Sequence, residues 1–255
     1  MLDAAGAPRL GLPEKADQLA TPMSGPPSTT IIKPDNPNLP GIVDVRNGTV
    51  LAVARYDRTT RRDGSLRRLH QEDFAQANGI FPSQKYEQGT VAGLNLNQLL
   101  TTAQHLPAQD APTLQDQVIF NILVANTDAH AKDYSMLLSG GPRLAPLYDV
   151  SIVLHCDHVN QYHAQKLGRR KRKPADMARL YWERIADAAG FSPRGIRPRV
   201  QEPVDAMVAK RVEAVCAQPG AERGMVEHVA GLIESNARRI ASRLNEKTST
   251  NDAKD

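Results

Sequence analysis

The chain has 255 residues, 40% of them hydrophobic and 24% charged, enough for one or two ordinary globular cores. Aromatic residues make up only 4%, so core volume has to come from Leu, Ile, Val and Ala, and the net charge of +4 reads as a solvated surface rather than a nucleic-acid interface. Cys156 and Cys216 stand alone without CxxC spacing, which argues against a disulfide framework or a zinc finger and fits a reducing cytoplasm.

Residues 1–30 are rich in Pro, Gly, Ala and Ser, including Pro8, Pro13, Pro22, Pro26 and Pro27, and read as a loop-rich segment. They contain neither the basic region nor the apolar region of an export signal, and no apolar run along the chain approaches the roughly 18 residues that cross a bilayer. The β-branched run Thr29-Thr30-Ile31-Ile32-Lys33 predicts a strand ending on a lysine. After a polar, Pro-rich loop over residues 34–41, Asn47-Gly48 lies between two β-rich runs, residues 42–45 and 49–54, and predicts a hairpin. Arg61-Arg62-Asp63-Gly64 is a turn. Residues 72–77 read as a short helix with acids near its start, where the helix dipole favours them. Leu96, Leu99 and Leu100 predict a helix from Asn95, with Pro107 and Pro112 separating it from the next.

That next helix carries Leu114, Val118, Ile119, Ile122 and Leu123 on one apolar face and should end near Asn126, since Asn and Asp favour caps and turns. Residues 134–138 read as a strand, Gly140-Gly141-Pro142 as a turn, and residues 143–148 as the returning partner strand. Such a hairpin can bring Asp149 back beside the loop carrying Asp128 and Asp133. Clustered carboxylates repel unless a cation neutralises them, and hard oxygen donors suit Mg²⁺. A carboxylate left free of the metal could take the proton of an attacking hydroxyl, the division of labour of phosphoryl transfer. The plainer alternative is a polar loop whose aspartates only cap backbone groups.

Downstream, residues 151–154 extend the strand or begin a turn. His155, Cys156, Asp157, His158 and His163 lie close together, but their spacing matches no common closed zinc site. The basic run at residues 169–173 reads as a solvated loop. Pro174 suits the first position of a helix that holds Met177, Leu180, Tyr181, Ile185 and Ala188 on one face and stops at Gly190, with Trp182 as a packing residue. Pro203 is expected to begin another helix, with Val204, Met207, Val208, Val212 and Val215 in register. The last helix runs from about Glu222 to Leu244. Residues 246–255 are polar and read as a frayed tail.

Asn126-Thr127-Asp128-Ala129-His130-Ala131-Lys132-Asp133-Tyr134-Ser135, followed by Leu144-Ala145-Pro146-Leu147-Tyr148-Asp149-Val150, resembles the catalytic loop and metal-binding segment of the HipA family. These are bacterial toxin–antitoxin serine/threonine kinases with a eukaryotic-kinase-like core. Arg55-Tyr56-Asp57-Arg58, Leu69-His70-Gln71-Glu72-Asp73-Phe74 and Pro82-Ser83-Gln84-Lys85-Tyr86-Glu87 are similar to the same family in the same order. The resemblance implies an α+β, protein-kinase-like fold. Residues 1–95 would form a reduced β lobe for ATP and residues 96–245 a mainly helical catalytic lobe, with residues 246–255 a disordered tail.

By this resemblance Asp128 is the catalytic carboxylate, and Asp133 and Asp149 are the metal ligands. Ala5, Gly6, Ala7, Lys33, Ala54, Arg55, Tyr56, His130, Ala131, Lys132, Asp133, Tyr148 and Asp149 surround the nucleotide, with ATP and Mg²⁺ as cofactors. Lys33 by itself could equally be an ordinary edge-strand lysine. His130 and Lys132 would line the phosphate side, and Tyr148 would sit beside Asp149 against the ligand. The implied partners are a protein substrate and a HipB-like helix-turn-helix antitoxin, with DNA reached only through it; no membrane is implied, and the location is cytoplasmic.

The chain also departs from the family pattern. Asp133 stands where Asn is usual and Ala54 where Glu is usual, and the family's autophosphorylated serine has no counterpart near Ala5. The helix expected between Lys33 and the following strand has no room, so the chain reads as a truncated, internally deleted relative. The first hypothesis is a serine/threonine kinase moving the γ-phosphoryl of Mg-ATP onto a protein hydroxyl. The second is a degenerate kinase fold acting as a binding protein. A metal-dependent phosphohydrolase is a weaker third, because a two-metal site would need more His and Asp ligands than the sequence offers.

Overall fold

The computed structural model describes residues 41–45, 48–52, 55–87, 93–166, 170–216 and 223–246. The expected strand at residues 29–33, the turn at Asn47, the tail after residue 246 and the site candidates Ala5, Gly6, Ala7, Lys33 and Ala54 lie outside the described residues.

The first hairpin forms as predicted. β1 (Gly41–Val45) pairs antiparallel with β2 (Gly48–Ala52), Val45 opposite Gly48. The Arg61–Gly64 turn joins a second pair that the sequence reading missed, β3 (Arg58–Thr60) with β4 (Leu66–Arg68). Gly64 sits at φ +81°, a conformation that only glycine adopts without strain, and Asp63 accepts from the Ser65 amide and hydroxyl. Asp57 anchors this unit. Its buried carboxylate binds the Arg55 guanidinium through two contacts of 2.8 Å and also bonds Arg58, while its carbonyl accepts from the Leu69 amide. The Arg55 hydrogen bond, with help from Arg58, lowers the Asp57 carboxyl to about 2.

β5 (Gln71–Asp73) corrects the expected helix start, since Glu72 lies in a strand and only α1 (Phe74–Ala77) is helical. Asp73 caps it, accepting from the Gln76 amide while the Gln76 side chain accepts from Asp73 N–H. The same reciprocal cap, made by Asn95 and Gln98, opens α2 (Leu96–Thr101) where the sequence placed a helix. α3 (Asp110–Leu123) follows, and Pro112 lies inside its first turn instead of before it, a position where a missing N–H leaves no helical bond unmade.

β6 (Ser135–Leu137) and β7 (Arg143–Leu144) form the predicted hairpin around Gly140 and Gly141, at φ +86° and +102°. The returning strand is much shorter than expected; one more bond, Ala145 N–H to the Ser135 carbonyl, extends it before the chain turns irregular. β5 pairs with β6, so the three-stranded sheet β5-β6-β7 crosses the boundary expected at residue 95.

The three remaining helices close the core. α4 (Arg179–Ala188) is preceded by a separate 3-10 turn at Pro174–Asp176, so Pro174 opens that turn and not the helix. α5 (Ile196–Cys216) runs straight through Pro203, where the sequence suggested a start; burial of Val200, Pro203 and Val204 outweighs the missing hydrogen bond. α6 (Arg223–Asn245) matches its predicted extent to within a residue or so. Leu99, Leu114, Val118, Ile122, Trp182, Val200 and Ile240, drawn from all five longer helices, are at most 1% exposed and meet in one cluster. Each such aliphatic side chain contributes about 1.5–3 kcal/mol by leaving water. Arg172, expected in solvent, is buried with its guanidinium 3.9 Å from the Tyr181 ring centre. Among the described residues no helix is long and apolar enough to cross a membrane.

Candidate active site

α3 has to stop abruptly for a loop to leave the core at this point. Ala125 takes the left-handed conformation at φ 56°, and the Asn126 amide folds back to the Asn121 carbonyl at 2.8 Å. Of the last helical carbonyls Ile122 O takes the Ala125 amide at 3.1 Å, but Leu123 O would be orphaned in an apolar core. Asn236 of α6 reaches both, its amide donating to Leu123 O at 2.8 Å and Ile122 O at 3.2 Å. A lone polar residue in an amphipathic helix gives no sequence signal of that role.

The loop that leaves is tied to the segment after the hairpin. The Asn126 amide donates to Asn121 Oδ1 at 2.9 Å and to the Asp149 carbonyl at 3.3 Å, and Asn126 Oδ1 accepts from the Ser151 hydroxyl. Asp149 itself is held at φ 55°, a left-handed conformation that Asp tolerates better than most side chains. Its side chain is exposed, as is that of Asp128.

Asp133 is different. It is buried at the end of the 3-10 turn Ala131–Asp133, with Oδ2 accepting the His130 amide at 2.9 Å and lying 2.8 Å from His130 Nδ1. Burial raises its carboxyl above the ordinary range, and His130 opposes that shift. His130, expected to face phosphate, is buried and turned onto Asp133. Ala131, expected at the nucleotide, is fully buried, while Lys132 is half-buried.

Tyr148 is likewise drawn inward. Its hydroxyl donates to the Lys132 carbonyl at 2.5 Å and lies 2.6 Å from Ser135 Oγ, while its ring sits 5.7 Å from that of Tyr56. Burial pushes its phenol up, and that of Tyr56 with it. These two tyrosines and Ser135 brace the loop from below. Arg55, expected at the nucleotide, spends its guanidinium on Asp57.

One functional neighbour had no role assigned from the sequence. The Tyr86 hydroxyl donates to Asp128 Oδ1 at 2.6 Å, and its ring meets His130 edge-on at 4.9 Å. Burial and the nearby charges of Asp128, Asp133 and Asp149 push its phenol up to about 12. Of the three carboxylates Asp128 alone touches the hydroxyl; Asp133 and Asp149 act on it through their charge. Among the described residues no group of three His, Cys, Asp or Glu side chains is arranged to hold a metal ion.

The comparisons with known proteins agree with one another. A family model described as HipA-like C-terminal domain matches residues 25–214. The chain is 32% identical over 250 residues to the Sinorhizobium fredii protein named "Putative kinase Y4mE", covering 88% of this chain and 59% of that one. It is 32% identical over 125 residues to the Shewanella oneidensis serine/threonine-protein kinase toxin HipA, covering 44% of this chain and 29% of the toxin. A chain from the solved complex of Shewanella oneidensis HipA, HipB and operator DNA superposes with a TM-score of 0.69 at 22% identity, covering 80% of this chain and 51% of that one. That likeness fixes the fold as kinase-like α+β, and the chain spans between about a third and three fifths of the proteins it resembles.

Proposed function

The chain belongs to the family of HipA-like C-terminal domains, and from that membership we propose that it is a serine/threonine protein kinase, moving the γ-phosphoryl of Mg-ATP onto a protein hydroxyl. The observation that carries the reading is that the loop bearing Asp128 and Asp133 is tied to the segment bearing Asp149, the Asn126 amide donating to the Asp149 carbonyl at 3.3 Å. Asp128, exposed and outside the His130–Asp133 pair, is the carboxylate free to accept the proton of the attacking hydroxyl.

Asp149 and the Asp133 oxygen not engaged by His130 supply two hard donors, which suits Mg²⁺ completed by phosphate oxygens and water. A cation also answers the burial of Asp133, whose carboxylate is otherwise met, among the described residues, by the ring and amide of His130. The metal, when bound, neutralises the phosphate charge that builds up during transfer. The chain's own residues do the positioning. His130 fixes one oxygen of Asp133, Asn126 fixes the backbone of Asp149, and Tyr148 fixes the Lys132 carbonyl. Lys132, beside them, is the cation for the phosphate side.

On this reading residues 1–95 contribute the nucleotide lobe, with Ala5, Gly6, Ala7, Lys33 and Ala54 toward ATP, and residues 96–245 the catalytic lobe. The solved neighbour comes from a complex with HipB and operator DNA, which supports a helix-turn-helix antitoxin as partner, with DNA reached through it.

Melting curves with and without millimolar Mg-ATP test the reading, because a ligand that binds only the folded state raises the melting temperature. The rise should persist in Asp128→Asn, which keeps the metal donors, and vanish in Asp149→Ala, while ADP formation is lost in both. A rise that survives Asp149→Ala would remove Asp149 from the metal site. No rise at all would leave a kinase fold that serves only as a binding protein.

A further inference from the structure

Tyr86 is used by nothing in the reading above, yet it touches the residue that reading depends on most. Asp128 is exposed on its loop, and among the described residues its carboxylate takes its one hydrogen bond from the Tyr86 hydroxyl, at 2.6 Å. An exposed carboxylate with no restraint samples several side-chain rotamers, and a misplacement of about 1 Å can cost roughly 100-fold in rate.

Tyr86 itself is held from three directions. Its ring packs edge-on against His130. The next residue, the buried Glu87, is gripped by the Lys166 ammonium at 3.0 Å and by the Lys166 amide at 2.9 Å. Gly93 presses its backbone so closely on this turn that a Cβ there would lie 2.8 Å from Gln84 O, Glu87 N and Tyr86 C. Gln165 adds a bond from its side-chain amide to the Leu94 carbonyl at 3.1 Å. The segment around residues 163–166 thus grips the chain at both Glu87 and Leu94.

We propose that Tyr86 is a positioning residue for the catalytic carboxylate. It pins Asp128 Oδ1 and leaves Oδ2 as the oxygen that receives the proton, and the Glu87–Lys166 pair holds Tyr86 in place to do so. The inference rests on the kinase reading. In the step it serves, the acceptor oxygen bonds to the γ-phosphorus, and the bridging β–γ P–O bond breaks with its electrons leaving on ADP. The acceptor's proton passes to Asp128 Oδ2, and the Tyr86 proton stays on Tyr86 throughout.

Tyr86→Phe keeps the ring on His130 and removes only the hydroxyl. The test measures kcat and KM for ADP formation with dephosphorylated casein as acceptor, alongside the melting shift with Mg-ATP. The expected result is a kcat lower by about 10- to 100-fold, with KM for ATP and the melting shift unchanged. Lys166→Met should lower kcat in the same direction, and the double variant should be no worse than Tyr86→Phe alone.

An unchanged kcat in Tyr86→Phe overturns the proposal. So does a raised kcat, which would make Tyr86 a blocking group on Asp128, and so does a lost melting shift, which would put Tyr86 at the nucleotide. A parent chain with neither a shift nor ADP formation overturns the kinase reading itself, and the role of Tyr86 in it.

Discussion

The Asn126 side-chain amide donates at once to Asn121 Oδ1, at the end of α3, and to the carbonyl of Asp149, beyond the hairpin. Through that one group the helix, the acidic loop and the returning segment share a fixed point. The Asp149 backbone is tied to the loop by it, since among the described residues no sheet pairing reaches beyond the Ala145 bond.

Asn126→Ala should therefore do more than destabilise. Leaving Asn121 Oδ1 and the Asp149 carbonyl without their donor costs about 1–3 kcal/mol, readable as a lower urea midpoint. The melting shift with Mg-ATP should shrink as well, because the Asp149 backbone is released from the loop. Retention of the full shift would show that Asp149 is held by something else.

Asn236→Ala supplies the contrast. It removes both Asn236 bonds and leaves the Leu123 carbonyl unpaired, while Ile122 O keeps the Ala125 amide, again about 1–3 kcal/mol. It touches none of the carboxylates, so at temperatures where the variant is folded its nucleotide affinity should equal that of the parent. Isothermal titration with Mg-ATP reads this directly.

His163 sets the stability of the fold in mild acid. It is fully buried, and burial lowers it to about 4 from 6.5. Between those values the unfolded chain binds a proton that the folded one refuses. Stability present above pH 6.5 therefore falls as the pH drops toward 4, by about 3 kcal/mol. Urea midpoints at pH 7, 5.5 and 4.5 should trace that loss, and His163→Gln should flatten it.

Asp57 acts in a separate, lower window. Its carboxyl is lowered from 3.8 to about 2, so its ionisation stabilises the fold above pH 3.8 and the gain disappears as the pH falls through 2. Allowing for screening around the exposed Arg55, the contribution is about 1–2 kcal/mol. Asp57→Asn should lower stability at pH 7 by that amount and leave it unchanged near pH 2, by thermal melts across the range.

Much of the scaffold was legible in the sequence. Leu114, Val118, Ile119, Ile122 and Leu123 announce α3 because a 3.6-residue repeat needs no knowledge of the partner that buries it. Gly140 and Gly141 mark their turn because positive φ is a local requirement. The acidic loop and its return stand close together in the chain, so their meeting could be foreseen, as could the family to which they belong. Where local signals conflicted with distant packing, the sequence misled. Pro203 is carried through α5 by buried neighbours, and Arg172 of the basic run is drawn onto Tyr181.

Polar side chains show the limit most clearly. Tyr86 could be read as a member of a family-like segment, but its hydroxyl meets Asp128 only once residues far apart in sequence are packed together. The same holds for Asn236 under the end of α3, and for the turn of His130 onto Asp133. Hydrophobic periodicity states which face of an element leaves water, so the sequence by itself determined the elements and the loop that carries the acids. A hydrogen bond depends on where two groups end up in space, so only the tertiary structure decided which partners hold those acids in place.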